Sequence, residues 1–440
     1  MFWLELGLLL LMLVLGARRG GLFLGMVGGV GMAVLVFGLH LTPANPPISV
    51  MLIIATVILA ASTMQAAGGI EYMVSLAETV LRNHPQHITF IAPLVVYVVC
   101  FFSGTGYASV SLIPVIAEVA RETGIRPERP LSISVIASQQ AGYSSPICAA
   151  MAVMIGLFGP RGISLTHILL VCVPASILGI LAGSLYASRM GKDLDKDPEY
   201  LDRLARGEVS PLPTKEQSEK GFTKEAKLSV VLFMSAAIIV ILFGAFPSLR
   251  PILNYAGKPQ PLPMPDSIEI VMLAVATLIV LTCKVAVGKI TDTSVFKAGM
   301  MGVIIVFGVA WMSDTVVSAN TNLLKSVVQT TVAAHPWMFI AAVCAVDVLL
   351  ASQAVTSAAM MPLGLMLGIP VATLIGMFPA VTVHFFLPVN TVQVASVALD
   401  STKTTKIGKY VLNHSFMMPG LVTLTVVLAV SMLLAKWVIG

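Results

Sequence analysis

The chain has 440 residues, of which 57% are hydrophobic and only 11% charged, and its mean hydropathy is +0.94. A soluble domain carries roughly a quarter of its residues as charges, so a water-facing globule is excluded and lipid is the expected solvent. The net charge of +5 does not point to nucleic acid, because the basic residues fall at the ends of apolar runs, where they set orientation in the membrane.

The first apolar run, Phe2 to Gly16, contains Glu5 in place of a basic leader and is followed by Arg18-Arg19, so it reads as a span rather than a signal peptide. Further spans of about 20 residues are expected at Gly21 to Leu39, Ser49 to Ala66, Leu131 to Phe158 and Leu165 to Ala187. A charged stretch, Ser188 to Glu225, then separates two halves. The second half repeats the pattern with Ala226 to Phe246, Ser267 to Thr282, Ala298 to Val317, Val371 to Ser396 and Ser415 to Val438. Cys100, Cys148, Cys172, Cys283 and Cys344 lie in or beside these runs with no CxxC spacing, so neither a metal site nor a disulfide framework is expected.

Two apolar stretches remain, Ile88 to Ala120 and Trp337 to Leu367, each broken by a small polar cluster. Hydrocarbon cannot satisfy the backbone of a turn, so such a break is tolerated only against protein or a water-filled cavity. Each stretch is therefore expected to be a re-entrant hairpin. Placing alternate loops in the cytoplasm puts Arg18, Arg19, Arg82, Arg121, Arg126, Arg129, Lys284, Lys289, Lys297, Lys403, Lys406 and Lys409 inside, and leaves only Arg161, Arg250, Lys258 and Lys325 in short outer loops. Both termini then face the periplasm. Five spans per half is an odd number, so the second half enters the bilayer inverted. Asn83-His84-Pro85 and Ala334-His335-Pro336 precede the two hairpins in corresponding places, and Pro114 and Pro362 lie on their descending arms.

The expected fold class is an all-α polytopic membrane protein built of two inverted repeats, each with five transmembrane helices and one re-entrant hairpin. The organisation is residues 1–187 as the first repeat (hairpin 88–120), 188–225 as a cytoplasmic linker, and 226–440 as the second repeat (hairpin 337–367). A long span past each hairpin breaks at a proline, at Ser144-Ser145-Pro146 and at Leu387-Pro388-Val389-Asn390.

In such repeats hairpin tips and broken helices meet near the midplane, and half-helix N-termini present partial positive charge to an anion. Lys and Arg are absent near the tips, so carboxylates would be held by backbone dipoles with hydroxyl and amide donors. The expected substrate-binding residues are Ser103, Gly104, Thr105 and Gly106 at the first tip and Ser352, Gln353, Thr356 and Ser357 at the second. Gln139, Ser144 and Ser145 in the first broken helix, and Asn390 and Thr391 in the second, complete the set. The bland alternative is that small residues permit tight packing and that Ser and Thr bond their own helix. Asp347 and His384 are ionisable at membrane depth and are candidates for coupling to H+ or Na+, beside the plainer reading of satisfied buried groups. Gly21, Gly25 and Gly29 read as a close-packing face and a candidate protomer contact. Walker A, HExxH and nucleophile-elbow motifs are absent, which leaves no basis for an enzyme and no cofactor.

From Gly16-Ala17-Arg18 through Ser103-Gly104-Thr105-Gly106, Arg126-Pro127-Glu128-Arg129-Pro130, Gly191-Lys192-Asp193-Leu194-Asp195-Lys196-Asp197, Phe296-Lys297-Ala298-Gly299-Met300, Ser352-Gln353-Ala354 and Asn413-His414-Ser415-Phe416, the chain resembles the anaerobic C4-dicarboxylate uptake (Dcu) transporters essentially end to end. The resemblance implies a bacterial inner-membrane carrier exchanging fumarate, malate or aspartate for succinate. It also implies a homodimeric elevator of the wider ion-transporter superfamily. One departure stands out: members carry Pro-Thr-Tyr-Pro in the second broken helix, where this chain has Pro388-Val389-Asn390-Thr391 with His384 before it. That change implies a shifted choice among dicarboxylates, an amino-dicarboxylate such as aspartate included. Proton- or sodium-driven uptake without obligatory exchange is the rival within transport, and a membrane sensor or scaffold partner is the rival from another class.

Overall fold

The computed structural model describes residues 2–19, 22–46, 48–209, 222–255, 258–320, 336–387, 390–408 and 412–440. Lys325, His335, Pro388, Val389 and Lys409, on which parts of the expected topology rest, lie outside them. The described chain is mostly helical. Its one β element is a short hairpin, Ile252–Tyr255 paired antiparallel with Lys258–Pro261, in the loop between two spans.

The first half supplies α1 (Phe2–Arg19), α2 (Leu22–Ala33, continuing as a π-helical turn to Gly38), α3 (Ile48–Ala66), α4 (Gly69–Asn83), α5 (Ile88–Ser103), α6 (Ile113–Glu122), α7 (Glu128–Ser144), α8 (Ala149–Phe158) and α9 (Leu165–Ala187). After α10 (Pro198–Ala205) the second half supplies α11 (Lys224–Ala245), α12 (Met264–Thr282), α13 (Val287–Asp292), α14 (Ser294–Ala319), α15 (Pro336–Leu350), α16 (Gln353–Met366), α17 (Val371–Met377), α18 (Thr391–Leu399) and α19 (Met417–Val438). Among the described residues seven helices are long and apolar enough to cross a bilayer, or eight if α3 and α4, bent by 71°, count as one broken span. The described residues of the expected apolar runs are mostly helical, with breaks at 145–148 and after Phe385, and the helices long enough to span are fewer than the five per half expected.

α4 was not among the expected elements. Ile70, Met73, Ala77 and Leu81 are its buried positions, a spacing of three and four residues that makes one apolar stripe, while Glu71 and Glu78 face outward. It is an amphipathic connector, and its charges hide it from a search for continuous apolar runs.

α5 is long enough to span, yet the chain comes back. Arg82, just before it, pairs with Glu118 on α6 at 3.2 Å, so the 16 residues of α5, about 24 Å of helix, are retraced. Gly104 makes the turn with φ +69°, a left-handed conformation that costs glycine nothing, and a 3-10 turn over Gly106–Ser111 follows. The second hairpin is built alike. Thr356 on α16 donates to Asp347 on α15 at 3.0 Å, and a Cβ at Gly364 would come within 2.9 Å of the Phe339 ring. The two arms therefore run antiparallel.

α7 is the central helix, with 15 of its 17 residues buried, so its polar side chains face protein and not lipid. Around it α5 packs on α7, α9 on α19, and α16 on α8. Further out α2 packs on α14 and α12 on α3, while α3 and α14 touch each other. Gly28 and Gly308 lie backbone to backbone, as do Gly308 and Gly25. Of the small-residue face of α2, Gly25 is packed within the chain, against α14; Gly29 faces open space, and Gly21 is outside the described residues.

The charged stretch 188–225 is folded over its first part. Leu194, Asp197 and Tyr200 are buried, and the Leu194 N–H donates to the Gly124 carbonyl at 2.9 Å. Residues 210–221 lie outside the described ones.

Candidate functional site

Both helix breaks are pinned to a hairpin. α7 ends at Ser144, the chain is extended at Ser145 (ψ 135°), and α8 restarts after its N-cap, Cys148. Ser145 donates to the Phe101 carbonyl at 2.6 Å and Ser144 bonds the Tyr97 hydroxyl at 2.8 Å, which ties the first break to α5. In the second half a 3-10 segment, Phe378–Phe385, precedes the break, and α18 restarts after its N-cap, Asn390, whose Oδ1 accepts from the Val392 N–H at 2.9 Å. Here Asp347 of α15 is the tie. It accepts the His384 N–H at 2.8 Å and lies 3.1 Å from His384 Nδ1.

Where the tips and breaks meet there is a cavity of about 200 Å³. It is smaller than the ~300–1,000 Å³ of drug-sized sites, so it suits a ligand of a few carbons. Gly104, Thr105, Gly106 and Tyr107 line it from the first tip, and Ala351, Ser352, Gln353 and Ala354 from the second. α7 contributes Ser138, Gln139 and Gly142; Cys148 to Ala150 come from one break; Asn390, Val392 and His384 come from the other. Lys, Arg, Asp and Glu are absent from this lining.

Its positive character comes from the backbone. α8, α16 and α18 each begin at the cavity wall, and a helix N-terminus carries about half an elementary charge through its unpaired N–H groups. Ser352, the N-cap of α16, makes no side-chain cap bond. Gln139 adds an unspent amide: it is 4% exposed and neither Nε2 nor Oε1 has a partner. A buried amide left unpaired costs about 1–3 kcal/mol, and a bound carboxylate, which only accepts, would recover the share that belongs to Nε2.

Of the residues expected from sequence, Gly104, Thr105, Gly106, Gln139, Ser352, Gln353, Asn390 and His384 reach the cavity. The others stand behind it. Ser103 donates to the Cys100 and Thr105 carbonyls, each at 3.2 Å. Ser144 and Ser357 bond the carbonyls four residues back at 2.7 and 2.6 Å, Ser145 holds Phe101, and Thr356 holds Asp347. Thr391 is exposed at the start of α18. Sequence reasoning missed Ser138, Tyr107 and Gly142. Gly142 carried a signal of its own, as a glycine three residues after Gln139 on a helix face: a Cβ there would meet Gln353 Oε1 at 2.6 Å.

A second, larger cavity of about 450 Å³ lies among α4, α5 and α11. Every residue lining it, from Met73 to Met234, is apolar, so it offers nothing to an anion.

Residues 1–439 match the profile of a family described as anaerobic C4-dicarboxylate membrane transporters. The chain is 39% identical over 432 residues to the C4-dicarboxylate transporter DcuA of Wolinella succinogenes, covering 98% of each chain. It is 41% identical over 427 residues to the protein of that name from Escherichia coli K12, covering 97% of this chain and 96% of the relative. To the anaerobic C4-dicarboxylate transporter DcuB of Escherichia coli O6:H1 it is 34% identical over 434 residues, again 97% and 96%. Among solved structures MtrF of Neisseria gonorrhoeae, described within a class of antimetabolite efflux pumps, is similar in fold. The TM-score is 0.51 over 91% of this chain and 84% of that one, at 12% identity.

Proposed function

Because this chain belongs to the anaerobic C4-dicarboxylate membrane transporter family, we propose that it carries C4-dicarboxylates across the bacterial inner membrane by exchange, taking up fumarate, malate or aspartate against succinate. The chain is a membrane transporter and not an enzyme. The observation that carries the reading is the cavity itself: three helix N-termini and an unpaired Gln139 amide converge in a space for a small ligand, with no fixed cation lining it. Such a site suits two carboxylates joined by a short chain.

The halves are two inverted repeats, residues 1–187 and 226–440. The exchanged pairing of α2 with α14 and α12 with α3 supports this, since a two-fold operation relating the halves turns one pair into the other. Both hairpins are re-entrant, and the arms, breaks and central helices slide as one body against the outer helices of a homodimer, both termini facing the periplasm. Glu118 and Arg82, paired across the mouth of the first hairpin, fit an arm that opens to one side only.

The test is transport in proteoliposomes containing the full chain. With no ion gradient, trapped internal succinate is expected to accelerate uptake of labelled fumarate, malate or aspartate. Uptake that ignores internal succinate and follows an imposed proton or sodium gradient overturns exchange; no uptake of any C4-dicarboxylate overturns the reading altogether.

A further inference from the structure

His384 and Asp347 form a dyad at the cavity wall whose hydrogen-bond arithmetic is incomplete. Asp347 is fully buried. Its Oδ1 accepts from the Thr356 hydroxyl at 3.0 Å and its Oδ2 from the His384 N–H at 2.8 Å, with His384 Nδ1 3.1 Å away. Donors converge on both oxygens, so the carboxylate is satisfied as an ionised acceptor and Nδ1 carries the hydrogen that faces it. In a neutral ring Nε2 is then a bare acceptor. Nε2 has no partner among the described residues, and His384 lines the cavity.

That tautomer is wrong for an anion. A carboxylate oxygen beside a bare Nε2 sets acceptor against acceptor, and the dyad with a neutral ring adds a net negative charge beside the arriving dianion. The helix N-termini do not make up the difference, because three of them at about half a charge each sum to about 1.5 against the two charges of the substrate. One proton resolves both conflicts. On Nε2 it turns the acceptor into a donor and makes the dyad neutral overall.

We infer that His384 contacts the substrate through Nε2 and takes up one proton as the substrate binds, with Asp347 as the positioning residue that fixes the ring for this role. The inference rests on the dicarboxylate reading of the cavity. The proton is drawn from the solvent and its buffer: the bond to hydrogen in the buffer acid breaks, its conjugate base stays in solution, and the Nε2–H bond forms toward a substrate oxygen. Tyr107 and Cys148 also line the cavity, and neither side chain carries a basic nitrogen. The segment bearing His384 packs against α15, which brings Asp347 and Cys344, and against α7, which brings Tyr143 and, at its far end, Glu128 and Arg129. α16 and α17 bring no titratable side chain and α19 brings only Lys436 in its last turn. His414, behind the break, bonds the Phe386 carbonyl at 3.2 Å.

The experiment is calorimetric titration of the purified full chain with succinate near pH 8, in buffers of differing ionisation enthalpy, which counts protons taken up per ligand. Wild type is expected to take up close to one, and its affinity to fall by about tenfold per pH unit as pH rises, the slope that one linked proton imposes. His384→Gln presents a neutral amide donor, so it is expected to bind more weakly near neutrality but with a flat pH profile and no proton uptake. Asp347→Asn keeps an oxygen toward the His384 N–H and ring and turns its NH2 to the Thr356 hydroxyl, so the ring tautomer stays but the negative charge behind it is lost, and proton uptake is expected to fall. Binding by wild type without proton uptake overturns the inference and leaves the transport reading standing, as does His384→Gln binding with the wild-type proton count. If wild type binds neither succinate, fumarate, malate nor aspartate, both fall together. Should His384→Gln fail to bind, the wild-type proton count and pH slope decide.

Discussion

Gln139 is the side chain whose removal separates binding from folding. It sits on the buried helix α7 with both amide atoms unpaired among the described residues, where an unsatisfied polar group costs about 1–3 kcal/mol. Leucine fills nearly the same volume without that cost, so Gln139→Leu is expected to melt no lower than wild type. A charge-assisted hydrogen bond is worth about 1.5–3 kcal/mol, so the variant should lose roughly ten- to a hundredfold in substrate affinity. Labelled-succinate binding beside a thermal melt checks both halves, and unchanged affinity would remove the amide from the site. Ser144 and Ser357 look equally available on paper, yet each spends its hydroxyl on its own helix. Whether a hydroxyl turns back on the backbone depends on what stands opposite it, which is why the sequence grouped them with Gln139.

At the scale of elements the polar clusters Ser103–Gly106 and Ser352–Gln353 fall where α5 ends and α16 begins, breaks that lipid tolerates only against protein or water. α4 was not legible by the same rule, since its charged face breaks the apolar run that a span needs. The contact between one hairpin and the central helix was only half legible. Gly142 leaves the room that Gln353 occupies, and Gln353 Nε2 donates to the Gln139 carbonyl at 2.8 Å, clasping the second tip to α7. Gly142→Ala sharpens the distinction between packing and function. Alanine favours a helix over glycine by about 1 kcal/mol, so the melt should hold or rise. The new methyl displaces the Gln353 amide and breaks a bond worth about 0.5–1.5 kcal/mol, so substrate affinity should drop several-fold. An alanine at Gly288, which faces open space, is the control. Equal affinities in the two variants would mean that the clasp does not shape the cavity.

Over the whole molecule, segments far apart in the chain close one end of the bundle. Arg126 Nε donates to Glu128 at 2.6 Å and its Nη1 pairs with Asp197, while the Ser415 hydroxyl donates to Glu128 at 2.5 Å and the Glu128 N–H to Thr404 at 3.2 Å. Arg129 pairs with Asp193 at 2.7 Å and donates to the Met190 and Gly191 carbonyls. Three segments on which the family resemblance rests, around Arg126, Gly191 and Ser415, therefore meet in one cluster, buried at Arg126, Glu128, Asp197 and Ser415 and exposed at Gly191. Hydropathy placed the helices but could not see this, because each charge reads alone as a loop residue and its partner is up to 287 positions away. A buried pair is weak evidence of net stabilisation, but stripping one partner from it costs about 3–5 kcal/mol by leaving charge stranded. Arg126→Met strands two carboxylates, Glu128 and Asp197, and is expected to lower the melting temperature of the solubilised protein sharply. Adding Glu128→Gln and Asp197→Asn removes the stranded charges and should recover most of the loss, since the amides keep hydrogen bonds to Ser415 and to the Glu199 N–H. If the triple variant melts no higher than Arg126→Met, the cost lies in lost packing of the arginine stem and not in stranded charge.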